Sequence, residues 1–170
     1  VLELGTDGPG QLKDFAYIKP DITVVTAVSP EHMEQFGTLE AVAREELSVA
    51  EYSKRLLVNT ADVSLEFLSG LDYLSYSVRS EAGYQVIARR EDGLRGQQLS
   101  ISLPSGEVEV GVAYAGEQGA SISLGAIAVA DILGIESGKI VGATRELRPF
   151  AGRMQILDGV NNTTIIDDTY

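Results

Sequence analysis

The chain has 170 residues, a formal net charge of −12, 44% hydrophobic and 22% charged residues, and no cysteine. These values predict one soluble globular domain and exclude a disordered chain, a membrane-inserted protein, disulfides and cysteine-based catalytic or metal sites. The negative charge also disfavours nucleic acid as a partner, because phosphate binding needs clustered Lys and Arg, and the lack of cysteine suits a cytoplasmic protein.

Strand-like and helix-like segments alternate through the first 70 residues, which is typical of an α/β fold with a parallel sheet and helices on both faces. The strand expected at 22–26 is a β-branched run entered through Pro20 and Asp21, as buried parallel strands often are. The expected strands are at 1–5, 22–26 and 56–59, and short helices are expected at 12–18 and 62–68. A longer helix is expected to begin at Leu39, with Thr38 as its N-cap, and to have Lys54 and Arg55 in its last turn.

The pattern then changes to β-like runs separated by turn signals. Four strand-like runs lie at 73–78, 84–89, 99–103 and 108–113. Residues 77–90 and 98–110 alternate polar and apolar side chains, which predicts a small antiparallel sheet with one wet face. Beyond Gly116 the chain is expected to return to helix, with an apolar, buried stretch at 122–135. A helix at 138–147 capped by Ser137 and closing strands at 154–157 and 164–166 are expected to follow.

The only histidine, His32, lies with Glu34 in a polar loop between the strand expected at 22–26 and the helix that follows. In open α/β sheets, ligands bind at the carboxyl ends of strands, so this loop is a candidate site. On residue type alone, a packed or solvated loop histidine is the simpler interpretation.

Other side chains offer weaker signals. Glu3 together with His32 could hold magnesium, which takes one or two carboxylates plus water and phosphate oxygens. Arg153 could bind a phosphate or pair with a surface carboxylate. Asp167 and Asp168 could hydrogen-bond a ribose, although an acidic turn explains them equally well. The sequence contains no P-loop and no Gly-x-Ser-x-Gly motif.

Four segments occur in an order that points to one family. They are Glu3-Leu4-Gly5 with Gly10, the strand after Pro20-Asp21 followed by His32-Met33-Glu34-Gln35-Phe36-Gly37-Thr38-Leu39-Glu40, then Gly152-Arg153, and finally Ile166-Asp167-Asp168-Thr169-Tyr170. In this order they resemble the middle, ATPase-type domain of the Mur ligase family, most closely its MurF-like branch that adds D-alanyl-D-alanine. The second segment is the most specific, since it resembles the family's His-Leu-Glu-x-Phe-Gly-Ser segment.

The resemblance covers essentially the whole chain and implies a mostly parallel sheet, Rossmann-like or P-loop-NTPase-like, with an antiparallel subsheet at about 73–115. It also implies that the P-loop strand precedes residue 1 and that the domain binding the incoming amino compound follows residue 170. The fragment is therefore expected to be inactive alone.

The activity implied by the resemblance is ATP-dependent amide-bond formation in peptidoglycan precursor synthesis, and hence in cell-wall biogenesis and cell shape. A carboxylate of a UDP-linked muramyl peptide becomes an acyl phosphate, which D-alanyl-D-alanine attacks. By the same resemblance, Glu3 and His32 serve Mg²⁺. Arg153 contacts a phosphate of ATP, and Asp168, with Asp167, contacts the ribose.

Three positions depart from the family pattern. Glu46 stands where the family has a lysine that is carbamylated near magnesium; a carboxylate there could replace the carbamate as a catalytic group, or the function could be lost. Gly119 and Ile122 stand where the family has asparagines near the adenine, and neither can make side-chain hydrogen bonds. We expect Glu3, His32 and Glu46 to converge in one magnesium-sized cleft.

Three functions stay open at this point. The first is a Mur-type ligase with divergent adenine contacts. The second is a degenerate, non-catalytic relative that binds a partner or a cell-wall precursor. The third is a related ligase of folylpolyglutamate or cyanophycin type, which the segment from His32 to Glu40 disfavours.

Overall fold

Residues 1–169 are described by a computed structural model. The chain forms two units, the first spanning Val1–Ala82 and the second beginning at Gly83. Among the described residues, every helix is too short or too polar to cross a lipid bilayer.

The first unit is built on three parallel strands, which are β1 (Thr23–Val25), β2 (Leu56–Asn59) and β3 (Leu74–Ser77), in the order β1-β2-β3. The apolar run of β2 is buried at every position, as is typical of a central parallel strand. The helices of this unit are α1 (Met33–Phe36) and α2 (Leu39–Leu47), with 3-10 segments at Leu12–Ile18, Ser48–Glu51 and Leu65–Leu68.

Apolar side chains from these strands and helices form one core. Val25, Leu56 and Val58 of the sheet pack with residues of the helical segments, including Leu12, Leu47 and Leu68. Thr38 caps α2 as predicted, because its side chain accepts a hydrogen bond from the N–H of Ala41 at 3.2 Å.

A buried carboxylate joins two parts of this core. Glu45 of α2 is only 8% exposed, and its two oxygens accept hydrogen bonds from the N–H groups of Gly10 (2.6 Å) and Leu12 (2.8 Å). Gly10 has φ 83°, a left-handed conformation that glycine adopts without strain. The hydroxyl of Tyr52 donates to the carbonyl of Leu12 at 2.9 Å, which fixes the same segment a second time.

The second unit contains three antiparallel strands, β4 (Tyr84–Glu91), β5 (Gln97–Leu103) and β6 (Gly106–Val112). Along β5, Leu99, Ile101 and Leu103 are buried while the residues between them are more exposed, as the alternating sequence predicts. Two helices follow, α3 (Gly116–Ile132) and α4 (Ser137–Thr144), and then a separate antiparallel hairpin of β7 (Gln155–Asp158) and β8 (Thr164–Asp167). Short 3-10 segments occupy Gly93–Arg95 and Val160–Asn162.

The predicted α/β fold with a parallel sheet followed by antiparallel strands is confirmed, but some elements differ. Residues 1–5 form no strand, because a strand needs a hydrogen-bonded neighbour and the described structure pairs none with them. The run predicted at 73–78 as the first antiparallel strand forms β3, which pairs with β2 in parallel register.

Three helix boundaries were also wrong. The helix expected to end near Lys54 stops at Leu47, and Lys54 instead forms an ion pair with Asp21 at 2.6 Å. Ser137 lies inside α4, whose N-cap position is Glu136. α3 begins at Gly116, where the sequence predicted the return to helix, but it ends at Ile132 rather than at 135.

Replacing Glu45 by alanine should lower the free energy of unfolding by about 3 kcal/mol, because two N–H groups beside a buried position lose their acceptor. Glu45→Gln keeps one acceptor oxygen and should lose about half as much. Urea denaturation followed by circular dichroism measures both changes, with Glu51→Ala at an exposed position as the control. A loss for Glu45→Ala no larger than that of the control would contradict the role of this carboxylate.

Candidate functional site

His32 lies in the loop that follows the carboxyl end of β1, seven residues after Val25 and directly before α1, in the loop that the sequence predicted. It is exposed and has a left-handed backbone, with φ 52° and ψ 37°, immediately before α1. Its carbonyl oxygen accepts hydrogen bonds from the N–H groups of Gln35 (3.0 Å) and Phe36 (3.1 Å). A non-glycine residue pays about 1–2 kcal/mol for this conformation, so contacts elsewhere in the loop must hold it.

Glu3 is also exposed, but it lies in the irregular segment before the first 3-10 helix rather than at a strand end. Within residues 1–169, no three His, Asp or Glu side chains form a group that could hold a metal ion. Glu3, His32 and Glu46 are therefore not a formed three-ligand group in the described structure, and their convergence in one magnesium-sized cleft stays a prediction. The two-residue magnesium site of Glu3 and His32 stays a prediction.

Glu46 lies on α2 and is half-buried. Burial raises the pKa of its carboxyl above the ordinary glutamate value, and the negative charges of Glu31 and Glu45 raise the pKa further. Since Glu31 directly precedes His32, the loop and α2 bring acidic charge to the same region of the first unit. A catalytic role for Glu46 stays a prediction.

The raised pKa of Glu46 has a consequence for stability. The folded state binds this proton more tightly than the unfolded state, so stability falls as pH rises from the ordinary glutamate range through the raised pKa. Glu46→Gln should therefore raise the melting temperature in chelator-containing buffer at about pH 8 and change it much less at about pH 4. Thermal unfolding of both proteins at both pH values measures this, and an equal shift at the two values would contradict it.

The candidate nucleotide-binding residues of the second unit lie at one end of the β7–β8 hairpin. Gln155 pairs with Asp167, which places Arg153 and Asp168 just beyond the same end of the ladder. The carboxylate of Asp168 accepts a hydrogen bond from the N–H of Met154 at 3.1 Å, and Asp167 accepts one from the hydroxyl of Thr169 at 2.7 Å. The structure thus brings the predicted phosphate and ribose residues together, while their roles stay predictions.

The first turns of α3 contain Gly119 and Ile122, two of the positions that the sequence analysis expected to depart from the family pattern. Gly119 is buried, and a Cβ atom there would lie 2.7 to 2.8 Å from the backbone and Cβ atoms of Tyr114. Ile122 is 54% exposed. The side-chain amide of Gln97 donates to the carbonyls of Tyr114 (2.8 Å) and Gly116 (2.7 Å) at the start of this helix. Glycine at 119 is therefore required by the packing around Tyr114.

Gly119→Ala should lower the free energy of unfolding by about 1–3 kcal/mol, because the clashing atoms belong to the backbone and Cβ of Tyr114 and cannot swing away. Gly142→Ala is the matched control, since Gly142 lies in α4 with no neighbouring atom near an added Cβ. There the helix propensity of alanine should raise stability by about 0.5–1 kcal/mol. Denaturant titrations that give both variants the same sign would contradict the packing argument.

A polar cluster at the carboxyl ends of the parallel strands was not predicted. Asn59 at the end of β2 is only 2% exposed, and it hydrogen-bonds Asp62, which pairs with Arg79. Burial and the negative charge of Asp62 raise the pKa of nearby Tyr76 to about 12. An asparagine directly after three buried apolar residues, with an aspartate three residues later, is the sequence signal that could have revealed the cluster.

Comparison with known proteins identifies the protein family to which this chain belongs. A profile of the Mur ligase middle domain matches residues 1–130. The chain therefore belongs to the Mur ligase middle domain family.

Curated relatives within this family are ligases of cell-wall precursors. The UDP-N-acetylmuramoyl-tripeptide–D-alanyl-D-alanine ligase of Haemophilus influenzae is 21% identical, over 100% of this chain and 38% of its own length. The UDP-N-acetylmuramate–L-alanine ligase of Desulforamulus reducens is 28% identical, over 91% of this chain and 35% of its own length. The chain thus spans well under half of the length of these relatives.

Solved structures share the fold. A crystal structure of MurF from Acinetobacter baumannii superposes with a TM-score of 0.86 and 20% identity, over 100% of this chain and 38% of that one. MurF from Thermotoga maritima in complex with ADP superposes with a TM-score of 0.77 and 14% identity, over 96% of this chain and 39% of that one. At this level of identity the likeness shows the architecture alone, which is the architecture the sequence resemblance predicted.

Proposed function

We propose that this chain is the middle domain of an ATP-dependent amide ligase that makes peptidoglycan precursors in the cytoplasm. In the proposed reaction, a carboxylate of a UDP-linked muramyl peptide is activated as an acyl phosphate and joined to D-alanyl-D-alanine. The observation that carries the proposal is the His32 loop, which combines a family-like sequence with a place at the carboxyl end of β1. Family membership and the D-alanyl-D-alanine ligase relative that spans the chain support it.

The donor groups of the first unit suit a sparse magnesium site. Glu3 offers an exposed carboxylate and His32 an exposed imidazole, and magnesium usually keeps several waters and phosphate oxygens beside one or two protein ligands. Bound magnesium would supply charge stabilisation for phosphoryl transfer. In this proposal Glu46 supplies the negative charge that a carbamylated lysine supplies elsewhere in the family, which its closeness to the acidic groups of the loop supports.

The hairpin residues of the second unit suit a nucleotide. In this proposal the exposed guanidinium of Arg153 binds a phosphate of ATP through paired N–H groups, and Asp168, with Asp167, accepts hydrogen bonds from the ribose hydroxyls. The hydrogen bond from Met154 occupies only one oxygen of Asp168, so the other oxygen has room for a hydroxyl donor.

We further propose that residues 1–170 alone are inactive. The chain spans 38% of the Haemophilus influenzae ligase, and it contains no phosphate-cradling P-loop. In this proposal, binding of the muramyl peptide and of D-alanyl-D-alanine depends on segments outside these residues.

A second candidate function is that of a non-catalytic Mur-like domain that binds a partner or a cell-wall precursor. The observation that favours it is the first part of α3, where Gly119 is closed off by Tyr114 and Ile122 presents an apolar side chain to solvent. Neither residue can hydrogen-bond a purine base.

Titration calorimetry of magnesium–ATP into the longer parent protein separates the two candidates. His32→Ala should weaken binding by roughly tenfold or more, because it removes a proposed ligand of the magnesium bridge. Gln35→Ala, an exposed neighbour in α1, is the control and should bind like the wild type.

Failure of the folded wild-type parent to bind magnesium–ATP would overturn the ligase proposal and favour the non-catalytic candidate. Equal affinities of wild type and His32→Ala would leave ATP binding in place but remove the proposed role of His32.

A further inference from the structure

The carboxyl ends of β1 and β2 are joined through the side chain of Asn59. Its amide nitrogen donates to the carbonyl of Thr26 (2.9 Å), the residue after β1, and to the carboxylate of Asp62 (2.8 Å). Its amide oxygen accepts from the N–H of Ala61 (3.1 Å). Because both partners of the nitrogen are oxygen acceptors and the oxygen faces an N–H, the orientation of this buried amide is fixed.

Asp62 extends the connection to the loop itself. Its backbone carbonyl accepts a hydrogen bond from the N–H of Val28 at 3.2 Å. Its other carboxylate oxygen accepts from the guanidinium of Arg79 at 2.9 Å, and the same guanidinium donates to the carbonyl of Ala61 at 2.6 Å. Asn59 and Asp62 therefore hold two backbone groups, at Thr26 and at Val28, just before the loop reaches His32.

The loop beyond Val28 is short and ordered by its own contacts. The side chain of Val28 packs against the core, and Ser29 bonds Glu31 through both its hydroxyl (2.7 Å) and its carbonyl (2.7 Å). On the far side, Phe36 of α1 is buried and its N–H returns to the carbonyl of His32. With both flanks fixed, the anchors at Thr26 and Val28 determine where the left-handed His32 lies.

We propose that Asn59 and Asp62 are positioning residues, which act through Thr26 and Val28 to hold the His32 loop in its metal-binding conformation. This inference rests on the proposed function, because it concerns the same magnesium and phosphate chemistry. A positioning error of about 1 Å at a reacting group can cost on the order of a hundredfold in rate, so such anchors contribute to function beyond their own hydrogen bonds.

The chain itself supplies the probe, since His32 is its only histidine and gives a single set of imidazole signals after ¹⁵N-histidine labelling. Manganese, a paramagnetic substitute for magnesium, should broaden these signals in the wild type. In Asn59→Ala the ring signals should shift, the manganese concentration needed for broadening should rise by roughly tenfold, and the Val28 amide should exchange faster with solvent.

Tyr52→Phe is the matched control, because it removes one hydrogen bond of the same unit, the 2.9 Å bond to Leu12, away from the loop. It should leave the manganese response and the His32 signals unchanged. If Asn59→Ala does not fold, Asp62→Asn keeps the backbone bond to Val28 and should give smaller changes in the same direction.

An Asn59→Ala protein with wild-type manganese response and wild-type Val28 exchange would overturn the inference, as would equal changes in Tyr52→Phe. No broadening of His32 in the wild type would instead refute the proposed metal site. In that case the His32 signals and the Val28 exchange rate alone would test whether Asn59 positions the loop. Failure of the proposed metal site and failure of the positioning role are therefore distinguishable.

Discussion

The first unit depends on a carboxylate carried into its interior by α2. A buried charge is costly unless it is hydrogen-bonded, and both oxygens of Glu45 have an N–H partner in the segment that precedes β1. This bond couples Leu12 and its core contacts to the helix whose N-terminus is set by Thr38. The His32 loop enters that helix, so the carboxylate that anchors the interior also limits where the loop can lie.

A second set of polar contacts acts from the opposite side of the loop, where the parallel strands end. Asn59 is fully hydrogen-bonded in a buried position, which makes its geometry rigid as well as stable. Between this cluster and α2, the loop has little freedom, and the left-handed backbone of His32 is maintained by its surroundings. The acidic charge near Glu46 gives the same region an electrostatic character suited to a cation.

Most of the fold was predictable because hydrophobic runs and turn residues mark elements locally. β2 and the capped start of α2 match their sequence patterns closely. The parallel pairing of the run at 73–78 with β2 was not predicted, since a strand-like run does not reveal which strand it pairs with. The site was predictable only as a loop after a strand. The side-chain hydrogen bonds of Asn59 and Glu45 that hold it join residues 33 positions apart. A local sequence pattern does not reveal such long-range contacts.

The close approach of Tyr114 to Gly119 limits which substitutions this position can accept. Any side chain introduced at 119 meets backbone atoms before it can make a new contact, so every single substitution there begins at a loss. Introduction of a larger residue would first require the chain around Tyr114 to move, and that segment is tied to Gln97 by a partly buried hydrogen bond. The glycine is thus entrenched, and replacing it would need coordinated changes in two elements.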